Sequence, residues 1–261
     1  MSEFKFIEVE NKDGTGVITI NRPEVYNALN VQGKLEIIKA IKKFNKDDSV
    51  QSIILTGKGK SFCSGQDLND RTVNNDGPVD IGKTLITEWN PLINTIRKSE
   101  KIVIAAINGV CAGAGFSVVM SCDIKVTISK NRFISGFTQI GLAPDAGMGH
   151  ILVRAMGYSR ALDFALMGKP LSSEEALSYG LINEIDDQYL KKAHEIAQKI
   201  NKLAPLSVKI VKKNLLYALD HSFSDVINRE THSQRFLGFS DDYKEGISSF
   251  LEKRKPNFKG Q

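Results

Sequence analysis

The polar and apolar positions at the start of the chain alternate. "FKFIEVE" and "GVITI" flank the turn-forming "NKDGT", a pattern that predicts a β-hairpin. The spacing changes in "NVQGKLEIIKAIKKFNKD", where Leu35, Ile38 and Ile41, with Ile37 and Phe44, recur at helical intervals. "VQSIILTG" is short and β-branched and predicts a buried strand. "KGKSFCSGQDL" then predicts a loop, and "NDRTVNNDGPVD" an exposed, mobile one. "KTLITEWNPLINTIRKS" has a helical pattern in which Pro91 is expected to introduce a kink.

"KIVIAAING" predicts a second buried strand, "FSVVMSC" an apolar helix and "DIKVTIS" a further strand. Strand, helix and strand in alternation argue an α/β core with largely parallel strands. Helical patterns dominate from about residue 145: "GHILVRAMG", "RALDFALMG", "SSEEALSYG" and "QYLKKAHEIAQKINKLA". Beyond them, "APLS" and "SFSD" break the last stretch into further helices. The division expected is a core over residues 1–200 and a helical region over 201–261.

Composition narrows the function classes. With 41% hydrophobic and 25% charged residues the chain is a soluble globular type. The net charge of +5 is spread along the sequence. Lys and Arg do not cluster with aromatics, which argues against a nucleic-acid partner and leaves room for a small polyanionic ligand. The N-terminus lacks a secretory h-region and no window has the length of an apolar membrane span, so a cytoplasmic protein with no membrane partner is expected. Cys63, Cys111 and Cys122 form no CxxC pair and read as reduced packing residues. Four scattered histidines offer no metal spacing, and no metal or redox cofactor is expected.

Two glycine-rich corners stand out, "SFCSGQDL" and "NGVCAGAGFSVVM", each leaving a buried strand. Small residues let backbone approach a ligand closely. At the second corner a helix beginning near Gly113 would present unpaired N–H groups and the positive end of its dipole. The spacing is neither the dinucleotide fingerprint nor a P-loop, and tight turns with close packing would account for the glycines equally. Asp145, in "GLAPDAGMGH", is an isolated acid among small apolar residues. It reads either as the cap of the helix that follows or as a chemical group.

"NRPEVYNALN", "SFCSGQDL", "AINGVCAGAGFSVVMSCDI", "GLAPDAGMGHIL" and "FLEKRKPNF", in that order, resemble the crotonase, or enoyl-CoA hydratase/isomerase, superfamily over nearly the whole chain. "GQDLNDR" and "GLAPDAG" are most similar to its isomerases of aromatic ring epoxides. The resemblance implies a spiral of ββα turns followed by a C-terminal helical trimerisation region, in a homotrimer or dimer of trimers. It implies an acyl-CoA thioester ligand, with coenzyme A entering as part of the substrate rather than as a cofactor. It maps an oxyanion hole onto the backbone N–H groups of Gln66 and Ala114. It maps CoA contacts onto Lys60, Ser64, Gly65, Asp67 and Leu68, and onto Phe250 and Lys253 from a neighbouring subunit's last helix. Read without it, Lys60 is a solvated loop lysine, Asp67 a loop brace, and Phe250 and Lys253 two positions of an amphipathic helix.

The two glutamates of the family's hydratases correspond here to Ser117 and Phe137, so simple hydration is not expected. Ser117 and Phe137, with Trp89, are expected at the acyl pocket, although Ser117 and Trp89 read equally as core packing. An aspartate at position 145 serves as a base in some of the family's isomerases and as the nucleophile of its dehalogenases. Dehalogenases also carry a tryptophan at position 137 and a histidine upstream, which this chain lacks. The resemblance therefore implies an isomerase in which Asp145 moves a proton along the acyl group. That group is either a ring epoxide of the 2-(1,2-epoxy-1,2-dihydrophenyl)acetyl-CoA type, converted to an oxepin, or a 3-enoyl-CoA, converted to a 2-enoyl-CoA. Desolvation by Phe137, Ala143, Pro144, Ala146 and Met148 would raise the Asp145 pKa. The alternatives are a hydratase of the same fold and a non-catalytic CoA-binding assembly subunit.

Overall fold

The structure, a computed structural model, describes residues 3–70 and 80–261. The expected hairpin is β1 (Ile7–Lys12) paired antiparallel with β2 (Thr15–Ile20). Helix α1 (Val31–Lys46) follows, its N-terminus capped by the Asn30 side chain, which accepts from Gly33 N at 2.7 Å. Its buried face carries Ile37, Ile38, Ala40, Ile41 and Phe44, whereas Leu35, expected on that face, is 48% exposed. Lys34 and Glu36 are buried in its place. The Glu36 carboxylate accepts from Lys5 N and Phe6 N, tying the start of the chain to α1.

The chain then winds. β3 (Ser52–Gly57) enters one sheet and, after a short turn, β4 (Ser61–Cys63) enters another. A helical segment returns the chain: α2 (Ile81–Thr84), a wide π-helical turn over Leu85–Trp89, and α3 (Asn90–Arg97). Here Pro91 is absorbed rather than breaking the segment. It lacks an N–H and would crowd the carbonyl four residues back, and the turn before it widens so that Asn90 N–H bonds Leu85 O, five residues back. The next turns are β5 (Ile102–Ile107), β6 (Val110–Ala112) and α4 (Ala114–Ser121), then β7 (Ile124–Thr127) and β8 (Arg132–Ile134). The rest is α5 (Met148–Met156), α6 (Tyr158–Met167), β9 (Leu171–Ser172), α7 (Ser173–Ser178), β10 (Glu184–Ile185) and α8 (Tyr189–Ile200).

Each turn thus places one strand in each of two sheets, ordered β1-β2-β3-β5-β7-β10 and β4-β6-β8-β9. Pairing is parallel from β2 through β10 in the first and from β4 to β8 in the second. Of the three-residue strands of the second sheet, β4 lies where the sequence predicted loop, β6 in the second glycine-rich corner, and β8 in a stretch that gave no strand signal. Strands that short have no periodicity of their own and exist because they pair with one another. The loop expected over "NDRTVNNDGPVD" lies, apart from its ends, outside the described residues.

Helices α9 (Pro205–Ala218), α10 (Phe223–Gly238) and α11 (Asp241–Leu251) close the chain. They carry large exposed apolar side chains, among them Leu215, Phe223, Phe236, Ile247 and Phe250. Among the described residues no helix is long and apolar enough to cross a membrane, and no His, Cys, Asp and Glu group could hold a metal ion. The three cysteines are free and buried, and burial pushes the Cys63 and Cys122 thiols up to about 12.

Candidate active site

The two glycine corners meet. After β4 the chain runs through Ser64 and Gly65, whose φ of +104° is a left-handed value. A Cβ on Gly65 would stand 3.0 Å from Ala112 O and 3.4 Å from Ala114 N. A Cβ on Gly115 would stand 2.3 Å from Cys63 O, so the second corner could not seat against the first with any side chain there. Leu29 bridges the first corner: its N–H donates to Gly65 O at 2.8 Å and its carbonyl accepts from Asp67 N at 3.1 Å. In a parallel bridge of this kind the residue between those two, Gln66, turns its own N–H away from Leu29. Across from it, Ala114 opens α4 as its first residue. Its N–H has no intrahelical acceptor and meets no other among the described residues.

Asp145 faces the same space but is not a helix cap. The residue that precedes α5 is Gly147, and no side chain caps that helix. Ala146 (φ +51°) and Gly147 (φ +82°) are both left-handed, which separates Asp145 from the helix and turns it out of capping position. Its carbonyl accepts from Met148 N at 3.0 Å and from the Ser117 hydroxyl at 3.1 Å. Its carboxylate oxygen Oδ1 is buried without a hydrogen-bond partner among the described residues. Desolvation by burial raises its pKa from the ordinary 3.8 to about 6. Of the neighbours expected to supply that burial, Phe137, Ala146 and Met148 are buried, Pro144 is half-buried and Ala143 is exposed.

These groups line one cavity of about 340 Å³. Ser64, Gly65, Gln66, Leu68, Trp89, Ala114, Phe137 and Asp145 all reach it. Ile81, Leu85, Ile134, Ile140 and Leu142, which sequence did not single out, supply most of the remaining apolar wall.

Five expected residues are elsewhere. Lys60 is exposed on the β3–β4 turn, outside the cavity wall. Asp67 is buried and pairs with Arg22 Nη2 at 2.7 Å, while its other oxygen accepts from Asn69 N at 3.0 Å, so it braces the corner from behind. Ser117, expected at the acyl pocket, is fully buried beneath it on α4, where its hydroxyl is spent on the Asp145 carbonyl. Phe250 is exposed near the end of α11 and Lys253 lies just beyond it, neither lining this chain's own cavity.

Sequence reasoning missed Lys34. It is fully buried behind the first corner and donates to Glu88 Oε2 at 2.6 Å and Gln66 Oε1 at 2.8 Å. The signal was present: Lys34 shares the helical stripe of Ile37, Ile38 and Ile41, and a cation on an apolar stripe needs a buried partner.

The spiral of paired strands is the fold expected from the motifs, and comparison with known proteins agrees. The family model described as enoyl-CoA hydratase/isomerase matches residues 10–261. The 1,2-epoxyphenylacetyl-CoA isomerase of Escherichia coli K12 is 36% identical over 264 residues, covering 100% of both chains. The short-chain-enoyl-CoA hydratase of Clostridium acetobutylicum is 31% identical, covering 97% of each. An enoyl-CoA hydratase of Bacillus anthracis superposes with a TM-score of 0.93 at 26% identity, over 98% of this chain and 100% of that one. With its sequence matched by the family model from residue 10 to the last and its fold shared end to end, this chain belongs to the enoyl-CoA hydratase/isomerase family.

Proposed function

We propose that this protein is an acyl-CoA isomerase in which Asp145 is the proton shuttle and the N–H groups of Gln66 and Ala114 hold the thioester oxygen. For a 3-enoyl-CoA, the Asp145 carboxylate takes a proton from C2. The electrons of that C–H bond flow into the thioester, and the developing enolate oxygen is met by the two N–H groups, each such donor contributing roughly 3 kcal/mol of transition-state stabilisation. Protonated Asp145 then returns the proton to C4, and the double bond comes to lie between C2 and C3. One carboxylate suffices because it is base first and acid second.

The observation that carries this reading is that Asp145, whose buried Oδ1 has no hydrogen-bond partner among the described residues, lines the same cavity as Ala114. A pKa of about 6 leaves the carboxylate ionised at neutral pH and still able to hold the proton it removes. The likeness to an epoxyphenylacetyl-CoA isomerase favours a ring epoxide of the 2-(1,2-epoxy-1,2-dihydrophenyl)acetyl-CoA type as an alternative acyl group in the same site. The exposed apolar faces of α9, α10 and α11 support assembly with further copies of the chain, as a trimer or dimer of trimers.

The hydratase-named relatives favour a second reading, hydration of a 2-enoyl-CoA. Against it, the positions of the hydratases' glutamates are Ser117, committed to a backbone carbonyl, and Phe137, which has no proton to give. A paired assay decides. Purified protein is given 3-hexenoyl-CoA and 2-hexenoyl-CoA separately, with conjugated thioester followed by absorbance and 3-hydroxyacyl-CoA by mass. Conjugation of the first without hydration of the second is expected. Fast hydration of the second overturns the isomerase reading.

A further inference from the structure

Lys34 lies behind the cavity wall with none of its surface exposed. A buried ammonium requires acceptors for its hydrogens. Here Nζ donates to Glu88 Oε2 at 2.6 Å and to Gln66 Oε1 at 2.8 Å. It also lies 4.5 Å from the centroid of the Trp89 ring. The Trp89 indole N–H donates to the same Gln66 oxygen at 3.0 Å. Gln66 Nε2 donates to Asp67 O at 3.0 Å.

An amide oxygen has two lone pairs, and at Gln66 both are met by these donors. Although Gln66 lines the cavity, its side-chain oxygen is turned to the protein. The residue is held twice, through its backbone neighbours by Leu29 and through its side chain by Lys34 and Trp89. A buried ion pair adds little net stability over apolar residues of the same size, so stability does not account for Lys34. A charge-assisted hydrogen bond to Gln66, shorter and stiffer than a neutral one, does account for its place.

We propose that Lys34 is a positioning residue. By gripping Gln66 Oε1 together with the Trp89 indole, it fixes the Gln66 N–H and the indole wall relative to the thioester carbonyl. The inference rests on the reading of the two corners as the site of the thioester oxygen.

The test uses Lys34→Met, and Lys34→Met/Glu88→Gln, which removes the carboxylate charge along with the ammonium. The probe is a CoA thioester of a dimethylaminocinnamic acid, whose absorption moves to the red when its carbonyl oxygen is hydrogen-bonded. Trp89 is the only tryptophan of the chain, so its emission reports the indole wall directly. Both variants are expected to bind the probe within about threefold of the parent, to lose most of the red shift and to change the tryptophan emission. Turnover is expected to fall about 10- to 100-fold in kcat with KM little changed, as a misplaced transition-state donor requires. A lower melting temperature with red shift and kcat intact means a merely structural lysine and overturns the proposal. If the parent protein binds the probe with no red shift, the oxyanion reading falls and the positioning role with it, an outcome distinct from the first. Should neither Lys34 variant fold, Trp89→Phe keeps an aromatic side chain in the wall and removes the indole N–H together with its five-membered ring. A partial loss of red shift is then expected, and an unchanged one overturns the proposal.

Discussion

The Ser117 hydroxyl donates to the carbonyl oxygen of Asp145 across 3.1 Å, from the first turn of one helix to the loop before another. Ser117 thus holds the backbone of the proposed base. Ser117→Ala removes this bond while leaving the Met148 N–H on the same carbonyl. The expected cost is about 1 kcal/mol of stability. Activity is expected to fall several-fold through kcat, because the Asp145 carbonyl loses one of its two hydrogen bonds. Thermal unfolding and steady-state kinetics on the same preparation check both parts. A drop in stability with kcat unchanged would mean that the bond serves the fold and not the base.

Asp145→Asn keeps the size of the side chain and abolishes its basicity. Turnover is expected to fall at least about a hundredfold while binding of a non-reactive acyl-CoA persists. In the parent protein kcat/KM is expected to rise with pH and to level off above about 6, where the carboxylate is ionised. The stability consequence has a definite sign. A carboxyl raised from 3.8 to about 6 on folding favours the native state below 3.8, and that contribution is lost as pH rises through about 6. Asp145→Asn cannot ionise, so its melting temperature relative to the parent should increase between pH 4 and about pH 7. Melting curves across that range test it. A difference independent of pH would mean that the carboxyl is not desolvated.

What sequence made legible and what it did not divide along physical lines. The glycine corners and Asp145 were visible because backbone approach and an isolated acid both leave marks on residue type. The meeting of the corners was not visible, since it depends on Gly65 and Gly115 touching strands far away in the chain. The left-handed pair Ala146 and Gly147 hid the fact that Asp145 is not a cap, because alanine gives no hint of a positive φ. Leu35 was expected inside and is exposed, and Lys34, which drew no reading, is buried. Helical spacing admits both on the stripe, and only the partners from Gln66 and Glu88 decide that the cation goes inside. The long parallel strands were legible from composition, and the short strands of the second sheet were not.

Gly65→Ala tests the closeness of the corners. The new methyl would meet Ala112 O at 3.0 Å and Ala114 N at 3.4 Å, and alanine at φ +104° is strained. The expected destabilisation is roughly 1–3 kcal/mol. The methyl also crowds the Ala114 N–H, so turnover should fall further than stability explains. Urea unfolding gives the first quantity and kcat/KM per folded molecule the second. Activity at the parent level in a folded variant would show that nothing needs to approach Ala114 N.

The Arg22–Asp67 pair separates a brace from a ligand contact. Both side chains are nearly buried, with N and O 2.7 Å apart. Arg22→Met leaves the Asp67 carboxylate buried without its cation and is expected to cost about 3–5 kcal/mol. Arg22→Met/Asp67→Leu removes both charges and should recover much of that loss, since an apolar pair of similar volume needs no compensation. Asp67→Asn, which keeps an oxygen acceptor for Asn69 N but abolishes the ion pair, should lower the melting temperature and leave the affinity for a CoA thioester unchanged. Denaturation of Arg22→Met, Asp67→Leu and the double variant gives the coupling, and thioester titration of Asp67→Asn gives the discrimination. A large loss of thioester affinity in a stable Asp67→Asn protein would place the carboxylate at the ligand and would contradict its position behind the corner.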